Sequence, residues 1–218
     1  MKYYPDSKVE IQGFTAKFYD GIINFVTLGI YSNFINKAIQ SIKINPNDKI
    51  LDFGAGTGRN SLLMNKYLSG NGKIIGLEIS YEMIKQFIQK SLNISNITII
   101  NKRIDKVFEL EEKFDKVFIS FVIHGFPHEV RTEIIKNAYN NLKGSGEFVI
   151  LDFSEFIVKD MPFYSRIPFK TIECKYAFDF VERDWKAILS EFGFGNFSEK
   201  YFLKNYVRLL KAEKQSEK

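Results

Sequence analysis

Cysteine is all but missing from this chain. Cys174 stands alone among 218 residues, so neither an internal disulfide nor a cysteine-built zinc site can form. Histidine is nearly as scarce: His124 and His128 are too few for a histidine metal centre, and no metal is expected. No apolar run approaches the roughly 18 residues of a membrane span. Runs such as Val117-Phe118-Ile119 are strand-sized. The opening Met1-Lys2-Tyr3-Tyr4-Pro5-Asp6 has no apolar core of a signal peptide, so a cytoplasmic address is expected. Excess charge is small too, with a net +5 spread over lysines interleaved with acids. The densest basic stretch, Lys204, Arg208, Lys211, Lys214 and Lys218 against Glu213 and Glu217, fits solubility better than a phosphate-tracking surface. Nucleic acid is therefore disfavoured as a partner.

What is present is ordinary in balance, 45% hydrophobic and 26% charged, and of a length that suits one large domain. The unusual quantity is aromatic: 22 Phe and 11 Tyr. Such a surplus either lines a pocket for a flat or greasy ligand or simply fills an aromatic-heavy core.

Strand and helix patterns alternate along most of the chain. Residues 20–42 have helical spacing with a break at Thr27-Leu28-Gly29, which predicts two helices. Strands are expected at Lys49–Phe53, Lys73–Leu77, Ile97–Ile100, Lys116–Phe121 and Glu147–Phe153, with helices between them. Ser80 reads as an N-cap before Met83, Ile84, Phe87 and Ile88 on one helical face. This order requires right-handed crossovers and a parallel sheet. Residues 154–180, with Pro162 and Pro168, read as an irregular loop or lid, and Phe197–Phe202 with Tyr206–Lys211 as a closing hairpin. The expected division is a helical N-terminal cap over residues 1–44 and a domain at 45–218 with a lid at about 153–180.

The informative segment is Asp52-Phe53-Gly54-Ala55-Gly56-Thr57-Gly58-Arg59, at the carboxyl end of the first strand and opening a helix. That is the ligand crevice of an open α/β sheet, where glycines let a ligand approach the backbone. Dinucleotide binding by G-x-G-x-x-G would need glycine at position 59, where Arg59 stands. Twenty residues beyond Gly58, Glu78 ends the second strand, where a carboxylate can accept from both hydroxyls of a ribose.

With these residues the chain resembles a class I S-adenosylmethionine-dependent methyltransferase over roughly residues 45–211. The resemblance implies an α/β, Rossmann-like, seven-stranded and mostly parallel sheet with helices on both faces and a C-terminal antiparallel hairpin. It implies S-adenosyl-L-methionine as cofactor. Asp52, Gly54, Gly56 and Gly58 would surround its methionine part, Glu78 its ribose, and Ile79 and Met83 its adenine. In the family an acid after the third strand meets the adenine. Here Arg103 rather than Asp105 counts to that position, and the contact is assigned loosely to Ile104 and its neighbours. Ser120 and Phe121, ending the fourth strand, would face the cofactor's other side.

The acceptor is a small molecule on this reading. The N-P-P-Y-like motif of base amino methylation is absent after the fourth strand, and Cys174 lies away from the loops where cytosine C5 methylation needs a nucleophile. Phe18-Tyr19-Asp20 with Thr27-Leu28-Gly29, and Leu151-Asp152-Phe153-Ser154, resemble segments of the ubiquinone/menaquinone-biosynthesis C-methyltransferase family. The Arg-Asn pair of that family is replaced by Ile123-His124-Gly125-Phe126. A small hydrophobic or aromatic, quinone-precursor-like acceptor follows. The alternatives are an RNA-directed or other methyltransferase, a nucleotide-cofactor oxidoreductase, and a non-catalytic S-adenosylmethionine-binding protein. His124, just past the fourth strand, is either a catalytic base or substrate contact, or a packing histidine. Tyr19 either closes over the site or belongs to a helix terminus, and Phe163 and Tyr164 in the ring-rich lid are candidate substrate contacts. A homodimer is compatible with all of this.

Overall fold

The computed structural model describes residues 30–215 together with Tyr4 and Ser7. Helix α1 (Ile30–Ile42) precedes β1 (Lys49–Phe53), α2 (Arg59–Asn65), β2 (Lys73–Glu78), α3 (Tyr81–Ser91), β3 (Ile97–Asn101) and β4 (Phe114–Ser120). A 3-10 turn at Ile123–Gly125 leads into α4 (His128–Asn141) and β5 (Leu142–Phe153). A second turn at Val158–Asp160 leads to α5 (Phe163–Ile172), α6 (Lys175–Val181), α7 (Trp185–Glu191), β6 (Phe194–Phe202) and β7 (Val207–Lys214). The strands form one sheet in the order β3-β2-β1-β4-β5-β7-β6, parallel from β3 to β5. β7 runs antiparallel between β5 and β6. The strand order reverses between β1 and β4, which opens a crevice at their carboxyl ends.

Period-2 alternation sends successive strand residues to opposite cores. Leu51, Val117, Ile119, Phe148, Ile150 and Leu210 pack with α4, α6 and α7 around Ile134, Phe180 and Trp185. Ile50, Phe118, Val149, Leu151 and Leu209 pack with α1, α2 and α3 around Ile35, Ile39, Met64 and Phe87. Helices therefore cover both faces, as the sequence pattern predicts. Of the two helices expected in residues 20–42, the second is α1, and the Thr27-Leu28-Gly29 break lies outside the described residues. Among the described residues no helix is long and apolar enough to cross a membrane.

Two expectations are corrected. β5 begins at Leu142 rather than Glu147: α4 runs straight into it, and the register shifts between Phe114 and Lys116 absorb Lys143-Gly144-Ser145-Gly146 as an irregularity. The segment read as irregular contains α5 and α6. Pro162 precedes the first turn of α5, where a missing N–H costs nothing, and Pro168 interrupts one bond of a helix whose outer side is exposed.

The long β3–β4 connection, which flanks the crevice, is pinned by two fully buried asparagines one helical turn apart on α4. Asn137 accepts from the Phe108 N–H at 3.2 Å and donates to the Ile104 and Lys106 carbonyls at 2.9 and 2.8 Å. Asn141 accepts from the Leu110 N–H at 2.9 Å and donates to the Phe108 carbonyl at 3.2 Å. Truncating Asn137 to Ala takes this partner from two buried backbone groups, of Ile104 and Phe108, and from the more exposed Lys106 carbonyl, so Asn137→Ala is expected to lose about 2–4 kcal/mol. For a chain of this size that is a fall of roughly 5–15 °C in melting temperature, readable by calorimetry. A shift under a degree would mean that water or side chains replace the asparagine.

Candidate active site

The glycine loop adopts the backbone its residues predict. Gly54, Gly56 and Gly58 have φ of 68°, 55° and 81°, left-handed values that other residues reach at a cost. A Cβ on Gly54 would stand 2.8 Å from Val122 Cγ2, and one on Gly58 2.7 Å from Phe87 Cδ2. A Cβ on Gly56 would meet nothing within 4 Å, so this residue faces open space. Gly58 caps α2. Arg59, in the place a dinucleotide loop reserves for glycine, donates to Ser32 Oγ on α1 at 2.7 Å.

Glu78 holds the loop from the neighbouring strand. One carboxylate oxygen accepts from the Gly56 N–H at 2.9 Å, the other from the Ile79 and Ser80 N–H groups at 2.8 and 2.9 Å. Asp52 lies beneath, 2% exposed, on the sheet face that carries Ile50, and accepts from Ser61 Oγ at 2.6 Å. Burial pushes its carboxyl up to about 7, against the Ser61 bond that favours the charge, with a smaller push from Glu78.

Beside the loop a shallow cleft is lined by Gly54, Glu78, Ile79, Val122 and Phe126, together with Tyr4 and the Arg103–Asp105 segment. Asp105 stands in this cleft, buried, and takes hydrogen bonds from Arg103 and from the Tyr4 hydroxyl, the latter at 2.7 Å. Burial alone would raise Asp105, but these bonds hold it below the usual carboxylate range. Tyr4 is pushed up to about 12, first by burial and then by Asp105. Arg103 and Asp105 both line the cleft, because the asparagine-pinned loop turns there. Ile79 is 36% exposed, whereas Met83 is buried in the first turn of α3.

The fourth strand ends in strain. Phe121 has φ 52°, unusual for an aromatic residue and typical of functional turns. Next to it Ser120 Oγ is buried with no hydrogen-bond partner among the described residues. Two residues beyond Val122, the 3-10 turn carries His124, 7% exposed. Its Nδ1 lies 2.7 Å from Asp152 Oδ1 at the end of β5, and its Nε2 3.5 Å from Glu173 Oε2 between α5 and α6. Burial would lower His124, but the charge and hydrogen bond of Asp152 and the charge of Glu173 outweigh it, and the net direction is upward. The ring meets Phe153 edge-on at 5.0 Å and Phe180 at 6.4 Å. Fully buried Arg131 fixes this turn by donating to the Ile123 and His124 carbonyls at 3.3 and 3.1 Å, to the Tyr176 carbonyl at 2.5 Å, and to Asp179.

Loop, carboxylate, cleft and histidine thus converge at one end of the sheet. Phe163 and Tyr164 stand exposed at the start of α5, ring against ring at 5.8 Å, while Phe169 of the same helix turns inward to Phe153 at 5.2 Å. Tyr19 lies outside the described residues. Asp152, Glu173, Arg131 and Tyr4 were given no role from sequence. For Asp152 a signal existed: a carboxylate set between apolar Leu151 and Phe153 in a central strand. Among the described residues no group of three His, Cys, Asp or Glu side chains is arranged to hold a metal ion.

A family profile described as "Methyltransferase domain" matches residues 44–196. The chain is 29% identical to the ubiquinone/menaquinone biosynthesis C-methyltransferase UbiE of Wigglesworthia glossinidia brevipalpis, covering 67% of this chain and 61% of that protein. It therefore spans less than two thirds of that relative's length. It is 27% identical to the demethylmenaquinone methyltransferase of Staphylococcus carnosus, covering 84% of this chain and 83% of the relative. Its fold matches a SAM-dependent methyltransferase from Aquifex aeolicus with a TM-score of 0.60 at 15% identity, covering 83% of this chain and 89% of the other.

Asp52 has a consequence for stability. Its folded pKa of about 7 lies above the model-peptide 3.8, so the folded state holds the proton more tightly. Its contribution is fullest below pH 3.8 and is lost as pH rises toward 7, a change on the order of a few kcal/mol. Asp52→Asn is expected to flatten that slope in denaturant unfolding between pH 4 and 8. An unchanged slope would mean that Asp52 is ionised in the folded protein throughout.

Proposed function

The chain belongs to the methyltransferase-domain family and carries an S-adenosylmethionine-dependent methyltransferase domain; from that premise we propose that it methylates a small, hydrophobic or aromatic acceptor, a reduced quinone precursor, at carbon. The observation that carries this reading is the buried Asp152–His124 pair, set among phenyl rings and one turn from the glycine-loop cleft. Two relatives named for quinone-pathway methylation support the acceptor class.

The residues present fit the cofactor. Gly56 leaves room where any side chain would intrude, Ser120 Oγ awaits a partner, and Glu78 offers a carboxylate beside the cleft. In this reading Gly54, Gly56 and Gly58 hold the methionine part with Asp52 beneath, and Glu78 holds the ribose. Ile79, Met83 and Ile104 enclose the adenine with Asp105 at its edge, and Ser120 and Phe121 close the other side. When bound, S-adenosylmethionine supplies an electrophilic methyl group for in-line displacement, a step accelerated mostly by alignment.

The chain's own residues would position the acceptor and manage its proton. A ring carbon becomes nucleophilic when a neighbouring hydroxyl gives up its proton, which a quinol can do and a quinone cannot; once the methyl group is on carbon, the hydrogen it displaces passes to that oxygen as the ring regains aromaticity, so one proton leaves in all. Asp152 fixes the His124 tautomer by accepting from Nδ1, which leaves Nε2, on the side of Glu173, as the nitrogen that takes that proton. The Asp152 and Glu173 carboxylates stabilise the resulting imidazolium. Phe121, Phe153 and Phe169 exclude water and give the acceptor an apolar wall, with Phe163 and Tyr164 toward its entrance. The cytoplasm is the proposed compartment.

Two measurements test this. With isotopically labelled methyl donor and a short-chain demethylmenaquinol analogue, label is expected on ring carbon. His124→Asn is expected to lower kcat by about 10²–10⁴ while cofactor affinity holds, as loss of general-base help implies. Label on nitrogen or on nucleic acid alone would overturn the acceptor reading. Separately, Glu78→Ala should weaken cofactor binding by roughly 10–100-fold, the loss of a charge-assisted bond. Affinity equal to the parent's would mean that Glu78 does not hold the ribose.

A further inference from the structure

We propose that the outer face of α5, with Ile157 and the β6–β7 turn beside it, docks onto an anionic lipid bilayer. Phe163, Tyr164 and Ile167 are 68%, 55% and 58% exposed, and Ile157 and Leu203 are 61% and 49% exposed. At 100° per residue Phe163, Tyr164 and Ile167 share one side of α5, and Phe169, buried against Phe153 and Phe156, lies opposite. The neighbouring segments are tied to this side. Lys204 Nζ stands 5.4 Å from the Tyr164 ring centre, and Arg166 donates to the Lys159 carbonyl at 2.9 Å. Elsewhere Tyr81, Ile88 and the C-capping Leu92 are exposed along α3, and Val107 stands on the β3–β4 connection. A patch of this kind marks an interaction surface.

The charge around it selects the partner. Lys159, Arg166, Lys170 and Lys204 accompany the apolar residues, against Asp160, while Glu173 is turned toward His124. Apolar and aromatic side chains ringed by cations suit the headgroup level of an anionic membrane. A second copy of the chain suits it less, because a two-fold contact would set these cations against themselves. The inner side of α5 meets the rings beside His124, so docking would bring the acceptor pocket against the bilayer that dissolves a hydrophobic acceptor. That last consequence rests on the acceptor reading above; the docking itself does not.

The test is co-sedimentation of the full chain with vesicles of phosphatidylcholine alone, or mixed equally with phosphatidylglycerol. The mixed vesicles should be preferred by on the order of tenfold or more, and salt should weaken the binding. The pair Lys170→Glu and Lys204→Glu should lower binding about tenfold, and Ile167→Asn should lower it several-fold by removing an inserted side chain. All three changes should leave methylation of a water-soluble short-chain acceptor unchanged and impair that of a long-chain acceptor held in vesicles. A parent chain that stays in solution, or variants that bind like the parent, overturns the proposal. So does a dimer that Ile167→Asn dissociates with no effect on vesicle binding. If the parent docks but methylates neither acceptor, the acceptor reading fails and the docking surface stands.

Discussion

One carboxylate ties the crevice together. Glu78 accepts from the Gly56, Ile79 and Ser80 N–H groups, binding the left-handed loop after β1 to the turn after β2. Three backbone donors that would otherwise compete for water or bend the loop inward are thereby satisfied on one side chain. The loop can then keep three consecutive alternate glycines at positive φ, with Val122 and Phe87 packed where two of their side chains would be. Asp52 below it braces α2 through Ser61, so the helix that follows the loop is held from the sheet as well.

The neighbouring strand β4 carries the second tight turn of the crevice. β4 ends in a strained Phe121, and the turn beyond it places Val122 and Phe126 on the cleft beside the glycine loop and His124 against Asp152. That turn depends on Arg131, whose guanidinium donates to two of its carbonyls and to the Tyr176 carbonyl of α6 while lying over Phe180 and Trp185. The five residues Val122 to Phe126 thus join the cleft beside the glycine loop to the His124–Asp152 pair.

Much of this was legible in the chain. The alternation of strands with helices specified a parallel sheet, and the D-x-G-x-G-x-G loop with Glu78 marked the crevice, because local backbone chemistry dictates glycine and a carboxylate there. The lid was less legible: Pro162 and Pro168 signal a break, yet Pro162 lies where proline starts a helix. Asp105, Asn137 and Asn141 were hidden for a different reason. Their roles come from contacts 29 to 101 residues apart in sequence, such as Asn137 with Phe108 and Tyr4 with Asp105, and no local period encodes those. Phe163 and Tyr164 could be counted as lid rings from sequence, but their outward direction follows from the packing of Phe169.

Titration calorimetry of the full chain with S-adenosylmethionine, its demethylated product and NADH tests the crevice most directly. Saturable one-to-one binding of both sulfur ligands, with no heat from NADH, is the result expected of a loop that places Arg59 where a pyrophosphate loop needs glycine. Tight NADH binding with none for either sulfur ligand would contradict the assignment of the site.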